Sequence, residues 1–113
     1  MQKILIGLAC FLVFEIQALE YQIQLDNDLV SVSKVKIFPH EEIGLHRDVY
    51  PQVVIGITGG TITRLEADGQ KVDVVFPTGI AVFRSADPEN QLHRSVNNSD
   101  EAVELLIIQL KNS

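Results

Sequence analysis

Along most of the chain, apolar and polar residues alternate with a period of two. That spacing places successive side chains on opposite faces of a β-strand. Tyr21 to Leu25 alternates, and so does Leu29 to Phe38, where the apolar positions move from Val30 and Val32 to Val35 and Ile37. A change of phase near Ser33 predicts a bulge or a bend in that strand. Pro39 ends the run. Val53 to Thr58 is a short apolar strand, and Gly59-Gly60 predicts a hairpin turn into Thr61 to Leu65. Ala67-Asp68-Gly69 turns the chain into Lys71 to Phe76, where Val72, Val74 and Phe76 share one face. Pro77-Thr78-Gly79 leads into Ile80 to Arg84, Ser85 to Asn90 reads as a polar loop, and Leu92 to Val96 is short. Asn97-Asn98-Ser99-Asp100 turns into a last strand, Val103 to Leu110. No stretch carries the helical period. About eight short strands separated by turn signals predict an all-β sandwich or barrel.

The first eighteen residues break this pattern. Met1-Gln2-Lys3 is positive, Ile4 to Phe14 is an unbroken apolar run, and Glu15-Ile16-Gln17-Ala18 turns polar and ends in a small residue. This is the layout of a secretory signal, and the run is shorter than the ~20 residues that span a bilayer. The chain therefore divides into a signal peptide, residues 1–18, and a single domain, residues 19–113, that is secreted or periplasmic once cleaved. A buried N-terminal helix and lipoprotein processing at Cys10 are the alternatives for this segment.

Composition narrows the function. Nine Lys and Arg stand against fifteen Asp and Glu, a net charge of −6, so the chain lacks the basic footprint of a nucleic-acid or anionic-membrane binder. Losing Lys3 and Glu15 with the leader removes one charge of each sign and leaves the balance unchanged. There is no Trp, and the only Cys is Cys10 inside the leader. The mature chain thus has no disulfide, no thiolate nucleophile and no Cys metal site.

Two spaced motifs carry a family resemblance. His40, then His46-Arg47-Asp48, Gln52 and Gly59 keep the spacing of a first motif that reads Gly, five residues, His-x-His, three or four residues, Glu, six residues, Gly. Pro88-Glu89-Asn90, His93 and Asn97 fit the second half of a second motif, Gly, five residues, Pro-x-Gly, two residues, His, three residues, Asn. Gly79 fits its opening, with three extra residues before Pro88. From Phe38 to Leu110 the chain resembles the cupins, which implies a cupin-type jelly-roll β-barrel.

In metal-binding cupins the two His and the Glu of the first motif and the His of the second hold a divalent ion. Carried over by position, the resemblance implies His46, Asp48, Gln52 and His93 as candidate ligands. Residues two apart on a strand face the same way, so His46 and Asp48 can both point into the barrel, with His93 coming from a later strand across it. Two imidazoles and one carboxylate resemble the ligand set of non-haem iron(II) enzymes, with Fe(II), Mn or Zn as the candidate ion. Gln52 offers only a neutral carbonyl. The alternative is a degraded site without metal, in which His46 and His93 hydrogen-bond to Asp48 and Gln52. Arg84 and Arg94 are present, but no pattern places either in the barrel.

The remaining polar residues read as surface: His40 before its strand, Glu41-Glu42 as a solvated loop, and Asn97-Asn98-Ser99 as a turn although it matches the glycosylation sequon. Three functions stay open. The chain is a secreted single-domain cupin that binds a small molecule, or a metal-dependent oxygenase or isomerase, or a metal-free structural dimer. A homodimer paired through Leu29 to Phe38 as an edge strand is expected in a barrel this small. No nucleic acid is expected as a partner, and no membrane after leader cleavage.

Overall fold

The computed structural model describes residues 19–112, which leaves the expected leader outside the described residues. Nine strands follow one another: β1 (Leu19–Asp26), β2 (Val30–Ile37), β3 (Glu42–His46), β4 (Gln52–Thr58), β5 (Gly60–Glu66), β6 (Lys71–Phe76), β7 (Ala81–Arg84), β8 (His93–Val96) and β9 (Val103–Leu110). They form a five-stranded sheet ordered β1-β2-β9-β4-β7 and a four-stranded sheet ordered β3-β8-β5-β6. All strand pairings are antiparallel. From β2 to β5 and again from β6 to β9 the chain changes sheet at every step, which gives the all-β jelly roll.

Three expectations need correction. Gly59-Gly60 is not a hairpin. β4 belongs to the five-stranded sheet and β5 to the other, so the chain crosses between sheets at Gly59. The crossing is tight: a Cβ on Gly59 would collide with the Phe76 carbonyl oxygen, and one on Gly56 would lie 2.6 Å from the Pro77 carbonyl oxygen. Second, β2 carries no bulge. It runs in unbroken register against β9, and its inward face is Ser31, Ser33, Val35 and Ile37. Ser33 is tolerated there because its hydroxyl bonds the Tyr21 hydroxyl at 3.0 Å. The irregularity lies in the partner strand, between Ile23 and Leu25. Third, Glu42 is not loop. It opens β3, a strand the alternation did not announce, and meets Arg94 at 3.3 Å.

The core fills the space between the sheets. Val35 and Ile37 of β2, Val54 of β4, and Val103 and Leu105 of β9 come from one sheet, and Ile62 and Phe76 from the other. β1 is the exception. Leu19, Tyr21 and Ile23 stand directly opposite Ile37, Val35 and Ser33, so they share the inward face. Yet they are exposed, because β1 extends past the edge of the four-stranded sheet. β1, not Leu29 to Phe38, is therefore the free edge on that side; β2 lies between β1 and β9.

One polar residue ties the far end of the barrel together. Asn97 is fully buried. Its Nδ2 donates to the carbonyl oxygens of Ile37 (3.0 Å) and Glu101 (2.8 Å), and its Oδ1 accepts from the Ser99 N–H (3.0 Å) and hydroxyl (2.7 Å). Its backbone pairs with His40 and Glu41. The sequon asparagine is thus consumed internally, consistent with its reading as a turn. Asn97→Ala should cost about 3 kcal/mol in urea unfolding, because it opens a cavity at a fully buried site and takes the side-chain partner from the Ile37 carbonyl oxygen and the Ser99 N–H. Asn97→Asp should cost at least as much, since it aims a carboxylate at two carbonyl oxygens. A loss below about 1 kcal/mol for Asn97→Ala would show that the barrel end does not depend on this residue.

Candidate metal centre

The ends of β3 and β7 and the starts of β4 and β8 lie at one mouth of the barrel. His46 ends β3 and His93 begins β8, and the two are direct cross-strand partners with ring centroids 4.3 Å apart. His93 therefore comes from the neighbouring strand of the same sheet, not from across the barrel as expected. Gln52 begins β4 on the facing sheet, opposite Arg84 at the end of β7. Asp48 lies past the end of β3, in the loop to β4, so strand alternation does not hold it. All five line one cavity of about 110 Å³ that continues inward over Val54, Phe76 and Leu105.

Asp87 holds Asp48 in place. The Asp87 N–H donates to the Asp48 carbonyl oxygen, and its Oδ2 accepts the Asp48 N–H, each at 2.8 Å. Asp87 Oδ1 in turn accepts from Arg64 at 2.5 Å, and Arg64 also donates to Glu66 at 2.5 Å. Burial alone would raise the Asp87 carboxyl. The Asp48 N–H and the Arg64 guanidinium outweigh it and hold Asp87 below the usual carboxylate range.

Both imidazoles present the same nitrogen to the cavity. His46 Nδ1 lies 2.6 Å from the Gly44 carbonyl oxygen. A carbonyl only accepts, so Nδ1 carries the hydrogen and Nε2 has a free lone pair. His93 is 2 % exposed. Burial, then Arg64 and His46, lower its pKa and keep the ring neutral, as a metal ligand must be. Its Nδ1 is 3.2 Å from Asp87 Oδ2 but out of line, so this buried nitrogen lacks a true hydrogen bond.

The three groups converge without bonding one another. Asp48 Oδ1 is 3.6 Å from His46 Nε2, and Asp48 Oδ2 is 3.6 Å from His93 Nε2. These separations are too long for hydrogen bonds between Asp48 and either ring. One ligand atom from each residue falls within 4.8 Å of the others. Ligands held at right angles about 2.1 Å from one ion lie about 3 Å apart, so each 3.6 Å pair would draw together by about 0.6 Å around an ion. The donor set and its spacing fit a divalent ion.

His40 stands outside this cavity, bonded to Asp100 at 2.9 Å. Arg94 faces outward to Glu42, whereas Arg84 lines the cavity. Asp87 and Arg64 were missed from sequence. Nothing in the polar loop singles out Asp87. Arg64 carries one signal: it falls two residues after the buried Ile62, and a charge on an inward strand face calls for a partner.

No family model matches the chain, and no curated protein matches it. Solved structures do. A cupin domain from Bordetella pertussis is 26% identical, covers 83% of this chain and 94% of its own, and superposes with a TM-score of 0.72. A cupin 2 conserved barrel domain protein from Salinispora arenicola is 21% identical over 83% of this chain and 76% of its own, with a TM-score of 0.59. A double-stranded β-helix domain protein from Klebsiella pneumoniae is 16% identical over 84% and 79%, with a TM-score of 0.60. The strand order, the motif spacing and the match to a cupin domain along nearly that domain's whole length agree, and the chain belongs to the cupin superfamily as a small single-domain barrel.

Proposed function

We propose that this cupin binds one divalent ion through His46, Asp48 and His93 and uses it to hold a small molecule in the barrel. The observation that carries the reading is the convergence of three ligand atoms that do not hydrogen-bond to one another. His46 is oriented by the Gly44 carbonyl, burial keeps His93 neutral, and Asp48 supplies the negative charge. Gln52 replaces the anionic family ligand and faces the cavity as a neutral amide. An ion held there would supply a Lewis-acidic centre for an oxygen of the bound molecule. A metal-dependent oxygenase or isomerase is the second reading, favoured by the ligand types, two imidazoles and a carboxylate, which leave positions free for substrate.

Calorimetry with Fe(II), Mn, Ni and Zn should show one ion per chain. Asp48→Asn should weaken binding at least about tenfold without loss of fold, because the Asp48 side chain makes no hydrogen bond among the described residues. His93→Ala should abolish binding, and Gln52→Glu should tighten it. No uptake by the wild-type chain, with uptake gained in Gln52→Glu, would mean a degraded site and leave the metal-free binding module or structural dimer.

The proposal extends to a homodimer in which a second copy covers the bare inner face of β1. Leu19 and Tyr21 form an apolar groove that runs on to Asp48 and Gln52, so a partner seated there would wall the site's mouth. Light scattering at micromolar concentration should give a dimer. Ile23→Lys, on the same bare strip, should give a folded monomer. A monomeric wild type would remove the dimer and leave the metal site untouched.

Export with cleavage near Ala18 completes the proposal. Cleavage there would keep all of Leu19–Asp26 of β1. Mass spectrometry of exported protein should start at or near Leu19. A cytosolic product that retains residues 1–14 would overturn it.

A further inference from the structure

The wall facing the His46–His93 pair carries a cation with nothing to neutralise it. Arg84 and Val82 lie two apart on β7. Val82 packs against the core, so Arg84 points inward with it. Arg84 lines the cavity, and among the described residues its guanidinium makes no hydrogen bond or ion pair. Each other arginine has a partner: Arg47 at the Pro88 carbonyl, Arg64 at Glu66 and Asp87, and Arg94 at Glu42. Directly opposite Arg84 on β4 is Gln52, only 8% exposed, whose amide also has no partner among the described residues. A half-buried guanidinium and the amide of a buried glutamine, neither with a partner among the described residues and both facing the cavity, point to a ligand group that would meet them there.

The chemistry of that group follows from the donors. A guanidinium presents paired N–H groups and accepts nothing, and an amide N–H₂ beside it adds a further donor. The matching group is a carboxylate. Charge agrees. With a divalent ion in place, Asp48 cancels one of its charges. Asp87 and Glu66 together outweigh Arg64 by one, and Arg84 is left over. The cavity then carries one net positive charge, which a monoanion neutralises. Shape limits the rest. The space is about 110 Å³ and is lined beyond these groups by Val54, Phe76, Leu105 and Ile107, so the body of the ligand is short and apolar.

We infer that the cavity is built for a small monocarboxylic acid, with Arg84 and Gln52 binding the carboxylate. The acid's far end reaches toward His46, Asp48 and His93, and in that respect the inference rests on the metal-binding reading. Arg84 is the residue that sets specificity for acids. Arg94, charged but turned outward to Glu42, takes no part.

The test compares butanoate with butanamide, and 4-hydroxybutanoate with butanoate, by calorimetry on manganese-loaded protein of known metal content and on protein stripped by chelator. Butanoate should bind at least about tenfold tighter than butanamide, the margin a charge-assisted pair supplies. That preference should persist, weaker, after stripping. Arg84→Gln should abolish it while manganese uptake stays within about twofold, and Arg94→Gln should leave it unchanged. The advantage of 4-hydroxybutanoate over butanoate belongs to the metal and should vanish on stripping. Equal binding of acid and amide, no binding of either acid, or a preference that survives Arg84→Gln would overturn the inference. A wild type that takes up no metal but still prefers butanoate would overturn the metal reading alone.

Discussion

Asp87 is the residue on which the site depends. Asp48 has left its strand by one turn of chain and has no ladder to fix it. Asp87 grips its peptide from both sides, donating to the carbonyl oxygen and accepting the N–H. That grip works only while Asp87 is ionised and still, and Arg64 secures both conditions from β5, braced in turn by Glu66. His93 stands beside the same carboxylate. One buried chain of charges thus joins the two loops at the mouth to the body of the four-stranded sheet. Breaking such a chain at one member leaves an uncompensated buried charge, which is costlier than never having built it.

The jelly-roll connections explain why chemistry collects at this mouth. The β3–β4 and β7–β8 connections both carry the chain between sheets there, so each contributes one residue before the crossing and one after it. His46 and His93 end up on one sheet, Gln52 and Arg84 on the other, with the cavity between them. The Gly59 crossing belongs to the same design. Backbone must pass against backbone where the chain leaves β4, beside Phe76 and Pro77, and only glycine allows it. β1 then extends the five-stranded sheet past its partner and leaves an apolar strip next to the opening.

How much of this was legible in the sequence depends on which physical rule each residue obeys. Eight strands followed from alternation, because their inward positions are mostly aliphatic. β3 did not, because its inward residues, Ile43 and His46, lie three apart across a register shift, with Leu45 exposed between them, so no regular period of two marks its face. The false bulge in β2 has the same source: Ser31 and Ser33 occupy inward positions, and pattern reading cannot see the Tyr21 hydroxyl that satisfies Ser33. The hairpin at Gly59-Gly60 failed because glycine pairs mark tight backbone of any kind, and here the tightness is a crossing. Motif spacing did bring His46, Asp48, Gln52 and His93 to one cavity. It also left a trace at His40, which holds the motif's first glycine position and keeps the left-handed φ of 64° that glycine would adopt. Asp87 and Arg64 stayed hidden, since long-range ion pairs between a loop and a strand leave no local pattern.

The departures from the family motif make sense together. The cupin pattern places its one anionic ligand at the position of Gln52, beside Arg84, and a neutral His at the position of Asp48. Here the carboxylate has moved to Asp48 and position 52 has become neutral, so the candidate ligand set keeps a single negative charge. The move separates that charge from Arg84. A glutamate at position 52, directly across the strand pair from Arg84, would lie where it could pair with the guanidinium and satisfy it internally. With glutamine there, Arg84 is left unsatisfied and facing the cavity. The glutamine that replaces the motif's anionic position therefore goes with a cation that has no partner among the described residues. On the metal-binding proposal the two tasks divide: Asp48, clamped at its peptide by Asp87, would carry the ligand charge, and Arg84, inward and without a partner among the described residues, would carry the charge for the bound acid.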